Sequence, residues 1–201
     1  MQQGVLPKIV YPLNGATISA ASNAAAAILT VPVAPLTGST VGISGFTSGW
    51  TSANATWIAT QLSATTFSIP LNSGSFGALS GVPLAFYNLF FQRPPRMVPA
   101  YSIEATRLDN TAWSGVRESI FGRSDQYFPF DMEYVAIGGD VQSWAAFVAQ
   151  AIQGVPFAYY PDYTVNSFTA YTLEDTNWVA TYRHPGTYNF KMRFRQRVNW
   201  Q

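Results

Sequence analysis

Residues 139–162 read Gly139-Asp140-Val141-Gln142-Ser143-Trp144-Ala145-Ala146-Phe147-Val148-Ala149-Gln150-Ala151-Ile152-Gln153-Gly154-Val155-Pro156-Phe157-Ala158-Tyr159-Tyr160-Pro161-Asp162, and the fold turns on this run. It holds the one convincing helix in the chain, over about 140–153. Val141, Trp144, Ala145, Val148, Ala151 and Ile152 recur at helical spacing and make a wide apolar face. Asp140 suits the N-cap, where its carboxylate can accept from the free amides of the first turn. Gly154 suits the position just past the end, because it enters the left-handed region without a Cβ clash. The chain then runs extended through Val155, Pro156 and Phe157 and ends in Tyr159-Tyr160-Pro161-Asp162. The rest of the chain reads as strand, so this helix must cover a sheet.

Downstream, the last strand has the cleanest pattern. Tyr188, Phe190, Met192, Phe194 and Val198 alternate with Asn189, Lys191, Arg193, Arg195 and Arg197. One face enters a core and the other carries cations, which should meet acids across strands or across subunits. Upstream, Tyr127 to Ala136 reads as a strand with Phe128, Phe130, Met132 and Tyr134 on one face and Asp131 and Glu133 on the other. Phe168 to Glu174, Trp178 to Arg183, Val116 to Arg123, Tyr101 to Leu108 and the dense aromatic run Phe86 to Gln92 also read as extended. Asn110 to Gly115 reads as a loop.

Residues 9–92 contain no Lys, Arg, Asp, Glu or His, and all 10 acidic residues lie beyond Ala100. A shift that sharp suggests two units. Ile9 to Pro12 is a plausible first strand, and Asn14-Gly15 is a turn signal. Short strands follow at Ala27 to Val33, Thr40 to Ile43, Thr56 to Leu62 and Thr66 to Leu71, punctuated by Gly, Ser, Asn and Pro. Only 10% of residues are charged, against about 25% in an ordinary soluble domain. The surface must therefore be covered by neutral polar groups or by partner chains. The net charge of +1 gives no bulk attraction to nucleic acid or anionic membrane. With no cysteine there is no disulfide and no thiolate chemistry. Met1 to Lys8 lacks the basic start and apolar core of a signal peptide. Ala24 to Val33 is too short to span a bilayer, and Pro32 and Pro35 break it. Synthesis in the cytoplasm without membrane insertion is expected.

Several segments occur in a distinctive order. They are Glu104-Ala105-Thr106-Arg107-Leu108-Asp109-Asn110, Ser114-Gly115-Val116-Arg117-Glu118-Ser119-Ile120-Phe121, the helix with Gly154, Tyr159-Tyr160-Pro161-Asp162, Tyr171-Thr172-Leu173-Glu174-Asp175, and Phe190 to Val198. This order resembles bacteriophage tail structural proteins, in particular the distal tail (baseplate-ring) family, which is similar to the tail-tube subunit. The resemblance implies a mainly β fold, a tail-tube-like β-sandwich with one packed helix. That domain would be discontinuous, made of 1–15 and 86–201. Residues 16–85 would be an inserted small β-barrel-like module, similar to the FCCH-type β-domain of ubiquitin-activating enzymes. The implied function is structural: a homo-oligomeric ring, hexameric or else trimeric, joining the tail tube to tip proteins in the virion. Its partners would be other copies, the tube, hub and fibre proteins, and DNA only in transit through the channel.

No catalytic, cofactor or metal site is expected. His184 has no Cys or second His to complete a metal site, and nothing in the spacing suggests a triad. Glu174 and Asp175 are adjacent, so on a strand they face opposite sides, which is poor for paired acid–base work. The sharpest candidate is the stripe Lys191, Arg193, Arg195 and Arg197. It could bind acids such as Asp131 or Glu133 on a neighbouring strand or subunit, touch passing DNA, or simply face solvent. The near-zero net charge favours the protein–protein role over DNA. Trp113 and Trp178, with Trp200, Tyr159 and Tyr160, lie in turns or at the terminus, where exposed aromatics mark interfaces. They also suit sugar stacking, so a host-surface or glycan-binding module using Trp57 or Trp113 is the alternative. A glycan hydrolase would need carboxylates drawn from Glu104, Glu118, Asp131, Glu133 and Glu174.

Overall fold

The structure is a computed structural model that describes residues 6–99, 102–111, 117–127, 130–137, 140–175 and 177–196; within 96–133, 135–137 and 183–184 it describes the backbone alone. The N-terminal half contributes strands β1 (Lys8–Thr17), β2 (Ala20–Ser22), β3 (Ala27–Thr30), β4 (Thr40–Phe46), β5 (Thr56–Ile58), β6 (Thr60–Gln61), β7 (Thr66–Ile69) and β8 (Gly81–Phe90). The C-terminal half contributes β9 (Arg96–Pro99), β10 (Ser102–Thr111), β11 (Arg117–Tyr127), β12 (Phe130–Ile137), helix α1 (Val141–Ala151), β13 (Phe157–Tyr160), β14 (Thr169–Leu173), β15 (Thr181–His184) and β16 (Thr187–Gln196). The fold is mainly β, a curled antiparallel sheet with one α-helix among the described residues.

That sheet has 10 strands in the order β5-β4-β8-β1-β13-β14-β16-β12-β9, with β15 also pairing β16. A 4-stranded sheet runs β2-β3-β7-β6, and β10 and β11 form a 2-stranded sheet of their own. The divisions expected after residues 15 and 85 fall inside β1 and β8. Between those limits, β4 pairs β8 from Thr40↔Asn88 to Phe46↔Gly81 and so belongs to the large sheet. Where the β4–β8 register shifts between Ser44 and Phe46, Gly45 and the facing Gly81 hold φ of 89° and 98°. A Cβ on either would run into backbone of the other strand, so glycine is required there twice over.

Helix α1 packs its face onto the sheet through rings. Trp144 lies 5.0 Å from Phe91, 5.0 Å from Phe190 and 5.1 Å from Tyr134. Phe147 lies 4.9 Å from Phe157 and 5.1 Å from Tyr11, and Phe157 lies 4.9 Å from Phe194. Edge-to-face and tilted contacts of this kind add to the area they bury. The buried face is Trp144, Phe147, Val148 and Ala151. Ala145 and Ile152 of the expected stripe lie outward instead, because Phe147 outweighs them in apolar area. The expected cap is also absent. Asp140 sits in αR geometry, not the extended backbone that aims a capping side chain at the first-turn amides, and its side chain makes no capping bond. Gly154 does turn left-handed, at φ 80°.

A second centre forms under the charge-free half. Trp50, on a 3-10 helix at Ser48–Ala53, stacks on Phe46 at 5.3 Å and meets Phe76 edge-on at 5.3 Å. Its Nε1 donates to the carbonyl of Gly77 at 3.2 Å. Asn54 brackets Phe46, accepting from its N–H at 2.9 Å and donating to its carbonyl at 2.8 Å. Asn14-Gly15 does not turn the chain. It lies within β1, where a register shift between Tyr11 and Ala16 absorbs it.

Candidate functional site

Strand β16 carries the candidate stripe, and its alternation holds in space. Phe190, Met192 and Phe194 are buried, Lys191 and Arg193 are exposed, and Arg195 is half-buried. The strand lies inside the large sheet, so its cations face residues on both flanks. Register sets Lys191 opposite Glu133 and Arg193 opposite Asp131 on β12. Glu133 is in turn opposite Arg96 on the edge strand β9. On the other flank Arg195 is opposite Thr172 of β14. Residues directly opposite in an antiparallel pair share a face, so the register alternates the sign of charge across three strands.

Beyond the end of β14 the backbone stays locked to β16. The amide of Glu174 donates to the carbonyl of Arg193 at 2.9 Å, and the amide of Arg193 donates to Asp175 Oδ2 at 2.6 Å. Asp175 therefore accepts from backbone, while Glu174 is exposed. Arg197 and Trp113 lie outside the described residues. His184 ends β15 opposite Thr187.

The aromatic candidates are placed differently from a set of turn residues. Trp178 is partly buried with its ring 5.3 Å from Phe190, and its Nε1 is buried without a hydrogen-bond partner. Tyr159 and Tyr160 belong to β13, where Tyr159 is buried and Tyr160 is half-buried. Trp57 is partly buried, packs against the core and donates its Nε1 to the carbonyl of Ala53 at 2.9 Å.

Sequence reasoning passed over two features. One is that β10 and β11, each legible as a strand, pair among the described residues only with each other, continuously from Ser102↔Tyr127 to Thr111↔Arg117 with one shift after Thr106. The other is an exposed aromatic cluster around Phe90, Tyr163 and Phe168. The dense run Phe86 to Gln92 held the signal for the second, since a strand with aromatic residues on both faces cannot bury them all.

A cavity of about 170 Å³ lies beside the start of α1, lined by Tyr11, Ser39, Asn88, Gln92, Asp140 and Ser143 among others. Burial raises the Asp140 carboxyl above the usual Asp range. Burial likewise pushes the phenols of Tyr11, Tyr87 and Tyr159 upward, so they stay protonated donors at neutral pH. Among the described residues no group of three or more His, Cys, Asp or Glu could hold a metal ion. Among them, too, no helix is long and apolar enough to cross a membrane. No family model, curated protein or solved structure matches this chain.

Proposed function

We propose that the chain is a structural subunit of a bacteriophage tail. Copies close into a ring at the distal tail, hexameric or else trimeric, that joins the tail tube to tip proteins and leaves a channel for DNA. In this reading the curled sheet with α1 on it is the tail-tube-like sandwich, and the 4-stranded sheet is the centre of the inserted module. The resemblance carried by the order of segments from Glu104 to Val198 supports it.

The observation that carries the proposal is the β10–β11 ribbon. Its two strands, 10 and 11 residues long, pair with each other and with no other strand among the described residues. A lone two-stranded ribbon is marginal in water, and both of its edges offer unpaired N–H and C=O groups. A neighbouring copy that adds strands to it resolves both problems. The mixed-sign register of β9, β12 and β16 suits the same assembly: it presents matched charges to a neighbour and offers little to a phosphate backbone. A contact of this kind is heterologous, and it closes into a ring when the rotation allows.

Native mass spectrometry of the purified chain at high concentration, with negative-stain images of the same sample, tests this. The expected result is discrete rings with a central hole. A monomer at every concentration overturns the proposal.

A further inference from the structure

Residues from both halves of the chain wall the cavity beside the start of α1. Ser39 comes from the turn before β4, Asn88 and Phe90 from β8, Asp140 from the residue before α1, and Ser143 from its first turn. Ser39, Asn88, Asp140 and Ser143 are half-buried, so they are held in place yet open to the space.

Strand geometry adds backbone to this wall. Phe91 donates its amide to the carbonyl of Pro7, on the β1 side, at 3.1 Å. Backbone groups alternate in direction along an antiparallel strand, so Phe90 turns its N–H and C=O the other way, toward β4. There β4 stops at Thr40, opposite Asn88. The Phe90 groups therefore face the cavity that Phe90 lines, not a paired residue of β4.

Asp140 sets what the occupant must supply. Its Oδ2 is buried and has no hydrogen-bond partner among the described residues. A buried oxygen left unmatched is costly, so a donor belongs beside it. Asp140 is also the one lining residue, among those described, that carries a charge at neutral pH, so the site repels anions. A bare ammonium fits poorly, because it donates but cannot accept, and the Asn88 amide and the Phe90 N–H would then lack an acceptor. A hydroxyl does both.

The rest of the wall is apolar. Tyr11 and Tyr87 are buried and meet edge-on at 5.5 Å. The Tyr87 hydroxyl already donates to the carbonyl of Val33 at 2.7 Å, so what Tyr87 offers is its ring. A pyranose matches this mixture, with hydroxyls around its rim and C–H bonds on its faces. At about 30 Å³ of liquid per water, 170 Å³ equals about six waters, the bulk of one sugar ring.

We propose that the cavity beside α1 binds one neutral sugar residue, a hydroxyl of which donates to Asp140 Oδ2 while others bond Ser39, Ser143 and Asn88, with a C–H face against Tyr11 and Tyr87. The site lies within a single chain, so the inference is independent of the ring reading.

Saturation-transfer NMR on the full chain tests it, by titration with glucose, galactose, mannose, rhamnose and N-acetylglucosamine, and with methylammonium as a cation probe. At least one sugar is expected to bind in the millimolar range, and methylammonium is expected not to displace it. Asp140→Asn keeps the shape of the wall and removes one acceptor, and should weaken that sugar about tenfold or more. Ser143→Trp fills the space and should abolish binding. Phe168→Ser lies in the exposed aromatic cluster, outside the cavity, and should bind like the parent. Thermal melting of each variant checks that the fold is kept. No binding by any sugar of the panel at high millimolar concentration overturns the proposal, as does binding of methylammonium alone. Binding that survives both Asp140→Asn and Ser143→Trp, or that Phe168→Ser removes, places the sugar elsewhere and overturns it too. A parent that binds the sugar but stays monomeric overturns the ring reading and leaves this site standing.

Discussion

Trp50 and Trp144 are both fully buried, but their indole nitrogens meet different surroundings. In the charge-free half, Trp50 Nε1 donates to Gly77, and Ser73, also fully buried, is held on three sides. Ser73 Oγ donates to the carbonyl of Ser22 at 2.9 Å, accepts from the amide of Ala24 at 3.0 Å, and lies 3.3 Å from the carbonyl of Ala24. Under the helix, Trp144 Nε1, Trp178 Nε1 and Asp140 Oδ2 are buried without partners. Among the described residues, the unpartnered buried atoms all fall in the C-terminal half. The half without ions is built from satisfied neutral hydrogen bonds. The half with ions is built from ring packing strong enough to carry unsatisfied polar groups.

Removing each tryptophan gives the largest test of this contrast. Trp144→Ala and Trp50→Ala should each cost about 3–5 kcal/mol in urea unfolding, the usual range for emptying a large aromatic site. Because β4 pairs β8 within the large sheet, both variants should unfold in one transition with the same midpoint by far-ultraviolet circular dichroism and by tryptophan fluorescence. Two separated transitions for Trp50→Ala would make the charge-free half an independent unit and break the comparison.

Replacing indole by phenyl sharpens it. Trp50→Phe loses the bond to Gly77, while Trp144→Phe removes a nitrogen that has no partner. Trp50→Phe should therefore be the more damaging of the two, by about 1 kcal/mol. Equal losses would mean that Trp144 Nε1 is satisfied in solution. Ser73→Ala, which leaves the amide of Ala24 and the carbonyl of Ser22 unpaired, should cost about 1–3 kcal/mol by the same measurement.

The contrast also explains what could be read ahead of the structure. Strand β16 was legible because its inner residues are apolar and its outer ones are ions, the clearest signal alternation gives. Helix α1 was legible from its spacing, but Ala145 and Ile152 were weighed equally with residues that pack, and Phe147 was missed. Strand β13 has no alternation to read, since Phe157, Ala158 and Tyr159 are all buried. The place of β4 in the large sheet depends on pairing with β8 across some forty residues, which local pattern does not encode. Asn14-Gly15 is a turn signal that a register shift overrode. Of the candidate interface residues, Asp131 and Glu133 alternate along β12 and fall opposite Arg193 and Lys191 in the register. The outer cluster of Phe90, Tyr163 and Phe168 was not legible, because Phe90 and Tyr163 are far apart in sequence and meet only through the β1, β8 and β13 pairings.

The smallest effects separate two carboxylates of opposite character. Asp140 is raised above the usual 3.8 by burial, and Asp162 is lowered below it by the Thr164 hydroxyl first and the Thr164 amide second. For Asp140 the folded state binds the proton more tightly than the unfolded chain, so stability falls as pH rises from the usual value through the folded one. Asp140→Asn should therefore raise the melting temperature slightly at neutral pH, a gain worth less than about 1 kcal/mol for a half-buried carboxyl, and the gain should vanish in acid. For Asp162 the sign reverses. Its contribution is present above the usual carboxylate range and is lost as pH falls through its lowered value, so Asp162→Ala should lower the melting temperature at neutral pH and have no effect in acid.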